Sequence, residues 1–188
     1  MYFDDYNDTA VYTTNSGLSE RFKWRIRYYG DDLSYIVLEK KEKLEGRCHK
    51  KSCKITIEEY QNIVSGNVTD LVFDTTKKLI KELAVDMLTR DYRPKVIIDY
   101  ERIAYVEEIT NVRITFDMKI SASYELEKFI DGDYQNFYVL PSGLNVLEVK
   151  FDEILPSHIR NIVESYNFVQ GSFSKYYYGR KIIDCYMR

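Results

Sequence analysis

Three cations, Lys23, Arg25 and Arg27, occupy alternate positions of the segment FKWRIRYY, with Phe22, Trp24, Ile26 and Tyr28 between them. Successive side chains of a β-strand point to opposite faces. Read as a strand, the segment has one apolar, aromatic face and one face that carries three positive charges. Like charges in a row on a sheet repel. The arrangement makes sense if an anion with several negative charges sits among them. Planar guanidinium groups hold phosphate oxygens in a fork, and lysine supplies a compact charge for the same purpose.

The same alternation recurs along the chain. The segment 34–43 places Tyr35, Val37, Glu39, Lys41 and Lys43 on one side. Ser52 and Lys54 share a face of KSCKIT. Tyr100 and Arg102 share a face with Val96 and Ile98. In NVRITFD, Arg113, Thr115 and Asp117 oppose Val112, Ile114 and Phe116, and in NVLEVKFD, Glu148, Lys150 and Asp152 oppose Leu147, Val149 and Phe151. An antiparallel sheet with one wet side explains any one of these strands. Five together point to a shared ligand. Cations mixed with one or two carboxylates suit a polyphosphate plus a divalent metal that bridges its oxygens. Closed into a barrel of about eight strands, such a sheet has a lumen that takes a narrow ligand.

The elements that must position these residues follow from turn and cap signals. Strands are expected over 22–29 and 34–43, joined by a turn at Gly30, Asp31 and Asp32. A polar loop around Gly46, with the basic run Arg47 to Lys51, precedes a third strand over 51–56. Thr56 caps a short helix, with Glu59 three residues on and Gly66 at its end. Leu79, Ile80, Leu83, Val85, Met87 and Leu88 follow helical spacing over 74–90, with Asp74 as N-cap. Long strands over 95–105 and 111–121 meet in a hairpin near Glu108 and Asn111. The stretch 124–136 is an acidic, aromatic loop. A strand over 145–152 leads to a third helix after Pro156, and SFSKYYYGRKIID closes the chain. The sum is about six or more antiparallel strands with about three helices inserted in their connections, an α+β architecture.

Composition sets the class. The 188 residues suffice for one domain, and 45% hydrophobic with 30% charged residues marks a globular chain. Eighteen Tyr and nine Phe against three Pro favour strands over linkers. A net charge of −3 gives no bulk attraction to nucleic acid. No apolar run approaches the roughly 20 residues of a membrane span, and no signal peptide opens the sequence, so a cytoplasmic protein is expected. Cys48, His49 and Cys53 lack a fourth ligand at zinc spacing, and reduced thiols are the simpler reading. There is no phosphate-binding G-x-x-x-x-G-K-[ST] loop. His49, in a charged loop, and His158, on a helix, read as solvated residues rather than phosphate carriers. Tyr176, Tyr177 and Tyr178 could stack on a base, but core packing is the plainer role.

In order along the chain stand RIRYYG, LEKK, the Ser-x-Lys strand, RPKVIIDYERIAY, VRITFD, LEVKFDEILP and FSKYYYGR. Together they resemble the VTC domain, the polyphosphate polymerase domain of the vacuolar transporter chaperone complex and of many bacterial proteins. That family belongs to the triphosphate tunnel metalloenzymes and is related to the CYTH triphosphatases. The resemblance implies an antiparallel β-barrel whose lumen is a basic tunnel, with Arg25 and Arg27 from the first strand here and Lys41, Arg102 and Arg113 from later strands as the catalytic cations. It implies Lys54, Lys150 and Lys175 as further substrate-binding cations, Lys175 also from a strand. Glu148 matches the metal-binding glutamate, for Mn2+ or Mg2+. The implied reaction moves the γ-phosphate of ATP onto a polyphosphate chain and releases ADP. Two alternatives use the same fold: a triphosphatase, with water as the acceptor, and a non-catalytic polyphosphate or nucleotide sensor. Family members carry a further N-terminal segment. The expectation is therefore a single domain over 1–188 that begins at the following strand, with a gap in the barrel wall.

Overall fold

The computed structural model describes residues 1–188 apart from Asp31, Asn167, Val169 and Arg188, and apart from the side chains of Asp70 and Asp74. In chain order the elements are β1 (Tyr2–Asp4), α1 (Thr9–Asn15), β2 (Arg21–Tyr29), β3 (Asp32–Leu44), β4 (Arg47–Ile55), α2 (Ile57–Ser65), α3 (Val68–Asp74) and α4 (Lys78–Arg90). There follow β5 (Arg93–Glu107), β6 (Val112–Ser123), β7 (Phe137–Tyr138), β8 (Val146–Lys150), α5 (Ser157–Ser165) and α6 (Lys175–Tyr186). Of the turn expected after β2, Asp31 lies outside the described residues.

All eight strands join one antiparallel sheet in the order β4-β3-β2-β1-β5-β6-β7, with β8 also paired to β6. The expected closed barrel is not what forms. No pairing joins β4 to β7 or β8 among the described residues, so the sheet is open. It curves all the same: Arg25 and Arg27 of β2 and Arg113 of β6, three strand spacings and about 14 Å apart in a flat sheet, line one cavity.

Six α-helices form among the described residues, where about three were expected. The Thr56 cap, its reciprocal contact with Glu59 and the left-handed Gly66 all occur as the sequence implies. The next helix does not start at Asp74. That residue ends α3, and α4 begins after Lys77. The basic run Arg47 to Lys51 is strand, not loop. Glu45 and Gly46 both take positive φ, of 49° and 80°, which makes a tight two-residue hairpin and pairs Leu44 directly with Arg47. His49 accordingly sits on a strand, exposed. The closing segment is helix rather than strand. Tyr176, Gly179, Arg180 and Ile183 are its buried positions, at helical spacing, and the Ser174 hydroxyl accepts from the Tyr177 amide to cap it.

The helices α2, α3 and α4 cover one face of the sheet. Trp24, Ile26, Leu38 and Ile55 from the strands pack there against Ile63, Ile80, Leu83 and Met87. The opposite face carries the alternating cations. At one end it is covered by α1 and α6, through Ala10, Val96, Ala122, Tyr176 and Ile183. A bulge in β6 near Lys119, φ 50°, decides what α6 meets. On one side of it the odd residues Arg113, Thr115 and Asp117 face the cationic side. Beyond it the even residue Ala122 faces α6.

Candidate anion-binding site

Register brings the charged residues into rows. Arg25 pairs with Glu39, and Glu39 with Ser52; Lys23 pairs with Lys41, and Lys41 with Lys50. Across the sheet, Arg102 pairs with Asp117, and Arg113 with Lys150. β1 separates the two groups for only three residues. The Met1 nitrogen donates to the Ile26 carbonyl at 2.9 Å, and the Ile26 amide donates back to Met1 at 2.9 Å. Past that point β2 and β5 run on with a cavity of about 640 Å³ between them. Arg25 and Arg27 line it from β2, Tyr100 and Arg102 from β5, and Arg113 from β6.

Two buried carboxylates hold most of these cations. Glu39, on β3, is wholly buried. The Arg25 Nε donates to its Oε2 at 2.6 Å, Arg27 Nη2 lies 3.0 Å from Oε1, and Lys50 Nζ lies 2.7 Å from Oε1. Asp117, on β6, is equally buried. Arg102 donates to both its oxygens, at 2.5 and 2.7 Å, and Lys175 reaches it from the first turn of α6. Burial alone would raise both carboxyls. The bonds from Lys50 and Arg25 on Glu39, and from Arg102 and Lys175 on Asp117, outweigh it and hold both below the usual carboxylate range.

Other cations have no such partner. Arg113 is exposed and its guanidinium pairs with no carboxylate among the described residues. Lys41 has no ion pair there either. The protein packed around it, then the charges of Arg25, Lys150 and Lys50, push its ammonium down to about 8. Its side chain is nonetheless open to solvent on the cationic face, so an arriving anion can reach it. Lys23 is also pushed down to about 8, by burial first and then by Arg21. Its Nζ donates to Ser174 at 3.2 Å and stands over the Tyr176 ring, so α6 covers it.

Of the residues singled out in the sequence, Arg25, Arg27, Arg102 and Arg113 meet at one cavity. Lys41 and Lys150 lie close enough to feel each other's charge. Lys175 joins through Asp117, from a helix and not from a strand. Lys54 stands apart from the cavity, in the row of Arg27 and Val37, with its Nζ over the Tyr35 ring at 5.7 Å. Sequence reasoning did not assign Glu39, Asp117 or Lys50 to the site. The signal for the first two was a carboxylate in the same alternating row as the cations. Lys50 was hidden by the reading of its segment as a loop.

Glu148 is partly exposed. Its Oε1 lies 3.2 Å from Lys150 Nζ, and its Oε2 accepts from the Thr115 hydroxyl at 3.4 Å. No three His, Cys, Asp or Glu cluster with metal-holding geometry among the described residues. A divalent cation at Glu148 would have one protein carboxylate and would take its remaining ligands from phosphate and water. That donor set suits Mg2+ or Mn2+, which bind through one or two carboxylates plus substrate phosphates.

No described helix is long and apolar enough to cross a membrane. No curated protein sequence matches the chain significantly. The family model of the VTC domain matches residues 1–183, from β1 through Ile183 of α6, and so takes in every strand and both buried carboxylates. The chain belongs to the VTC domain family.

Proposed function

We propose that the protein is a polyphosphate polymerase that transfers the γ-phosphate of ATP to a polyphosphate chain held on the cationic face of its bent sheet. The observation that carries this reading is the meeting of Arg25, Arg27, Arg102 and Arg113 around one cavity. With Lys41, Lys50, Lys150 and Lys175, eight cations face four carboxylates, Glu39, Asp99, Asp117 and Glu148. The surplus of four positive charges balances a triphosphate of about four negative charges at neutral pH. Membership of the VTC family supports a polyphosphate-related role.

Phosphoryl transfer asks little covalent chemistry of the protein. It needs alignment of donor and acceptor, and positive charge on the non-bridging oxygens. Arg25 and Arg102, fixed by their carboxylates, would flank the phosphate chain from two sides. Arg113 and Lys41, with free donors, would bind the oxygens on which charge grows. Glu148, with Thr115 beside it, would hold a divalent cation against the phosphates, and that cation would neutralise part of their charge.

The test is incubation of the protein with ATP and Mn2+. ADP and long-chain polyphosphate are the expected products. Orthophosphate without polyphosphate would replace the reading with a triphosphatase, and tripolyphosphate binding without turnover would replace it with a sensor. Glu148→Gln should abolish the metal dependence of turnover and leave tripolyphosphate affinity within about threefold. Unchanged metal dependence would remove Glu148 from the metal role.

A further inference from the structure

Glu39 accepts a hydrogen bond from Arg25 at Oε2 and stands in ion-pair contact with Arg27 and Lys50 at Oε1, and this is more than stability asks. A buried carboxylate is satisfied by one well-placed guanidinium. Each further cation drawn to it adds repulsion between like charges, and Arg27 and Lys50 make the contact although both are partly open to water. Arg25 turns its Nε and Nη2 to Glu39, and its Nη1 donates to the Tyr2 hydroxyl at 3.2 Å. Its side chain is thus clamped from two strands. Arg27 shares the carboxylate through Nη2 alone, and its buried Nε has no hydrogen-bond partner among the described residues. Asp117 repeats the arrangement on the other side of the cavity. It takes Arg102 in a fork, which leaves Arg102 Nη1 free, and draws Lys175 in from α6.

We propose that Glu39 and Asp117 are positioning residues: they hold Arg25, Arg27 and Arg102 in the orientation that matches successive phosphates of one chain. This rests on the reading of the cavity as a polyphosphate site and specifies how its selectivity arises. A bare cationic surface would bind any anion in proportion to charge. Guanidinium groups fixed by buried carboxylates favour a ligand whose oxygens recur at the spacing of the fixed donors, and so prefer tripolyphosphate to separate orthophosphates. Glu39 and Asp117 need not touch the ligand to do this.

The idea makes a prediction that runs against simple electrostatics. Removing a negative charge from a cationic site should tighten anion binding if that charge is only a counterweight. If Glu39 orients its arginines, Glu39→Gln should weaken tripolyphosphate binding at least tenfold despite the added net positive charge. Glu39→Asp retains the charge but withdraws the carboxylate by one methylene. It should also weaken tripolyphosphate at least tenfold, while orthophosphate affinity changes less than threefold. Asp117→Glu should behave alike. Calorimetric titration with tripolyphosphate and orthophosphate, with the thermal midpoint of each variant, reads all of this. Glu39→Asp keeps the measurement available if Glu39→Gln fails to fold. Tighter binding in Glu39→Gln, or an unaltered ratio of the two affinities in Glu39→Asp, would overturn the positioning role alone. Failure of the unaltered protein to bind tripolyphosphate would overturn the anion-site reading and this inference with it.

Discussion

Asp4 is the point where β1, α1 and α6 are tied together, and Asp4→Asn is the most informative single change outside the cavity. The carboxylate is wholly buried. Its Oδ1 accepts from the amides of Asp5 and Ala10 at 2.9 and 2.8 Å. Its Oδ2 accepts from the Val11 amide at 3.1 Å and from the Tyr176 hydroxyl at 2.5 Å. The bond and the negative charge help keep Tyr176 protonated, its pKa raised by burial first and by Asp4 next. Asparagine offers one carbonyl oxygen and one NH2 group. Turned with its NH2 toward Val11 and Tyr176, it faces the Val11 amide donor to donor and the Tyr176 hydroxyl loses its acceptor; turned the other way, its NH2 faces the amides of Asp5 and Ala10. A hydrogen bond to a charged group is worth about 1.5–3 kcal/mol, so losing two costs roughly 3–5 kcal/mol after some relaxation. That is a large share of the about 5–15 kcal/mol that holds a domain together, and it should lower the thermal midpoint by about 10 °C. Urea unfolding followed by the fluorescence of Trp24, the single tryptophan and fully buried, measures it directly. Tyr176→Phe removes one of the four donors and should cost about 1.5–2 kcal/mol. The double variant should fall short of the sum by at least about 1 kcal/mol, because the two changes share a bond. A loss under about 1 kcal/mol for Asp4→Asn would refute the argument.

Three further outcomes follow from the structure. Arg113→Ala and Lys41→Ala remove unpaired cations and should weaken tripolyphosphate at least tenfold, with thermal midpoints within about 2 °C of the unaltered protein; equal affinity by calorimetry would remove both from the site. Lys41, with its ammonium at about 8 when folded against an ordinary 10.5, gives a pH test. Between those values the unfolded chain retains this proton when the folded one has lost it, so Lys41 makes stability rise with pH in that window. Tripolyphosphate affinity should fall over the same rise, and Lys41→Arg should flatten the affinity profile. Gly179 lies against the sheet where an added Cβ would come 2.1 Å from Ile98 Cδ1 and 3.4 Å from Ala122 Cβ. Gly179→Ala should destabilise by about 1–2 kcal/mol despite the better helix propensity of alanine. Removing Cδ1 with Ile98→Val should restore most of the loss, as read by urea unfolding.

The strands were legible because their alternation is strict: Trp24 and Ile26 inward, Arg25 and Arg27 outward, with the same alternation of types in VRITFD and LEVKF, although there Thr115 and Asp117 are the buried side and Phe116 and Phe151 are exposed. The Thr56 cap was legible because its partner Glu59 is local. Three things were hidden. The hairpin at Glu45 was masked by its sequence, since nothing but geometry tells that a non-glycine residue there adopts positive φ. The closing helix was masked by three consecutive tyrosines, which have strand propensity; tertiary contacts of Tyr176 with Asp4 and of Arg180 with Asp8 decide for helix. Closure of a sheet depends on where its last strand meets its first, and no local pattern encodes that. The four arginines that line the cavity were singled out through the alternating faces of their strands. Glu39 and Asp117 were passed over because a carboxylate in a cationic row looks like a neutralising charge. The distances show the ion pairs, Glu39 with Arg25, Arg27 and Lys50, and Asp117 with Arg102 and Lys175.

The ties between α6 and the start of the chain span most of its length. Asp4 and Tyr176 are 172 residues apart, as are Asp8 and Arg180. Contacts this remote in sequence form late, because the loop-closure entropy must be met before they give anything back. Lys175 can reach Asp117 only when they have formed. The Lys175–Asp117 contact is therefore completed only after α6 has been made, and a nascent chain carries Arg25 and Arg27 for most of its synthesis without a finished site. A polyanion present at that stage would meet separate basic strands and not the completed constellation.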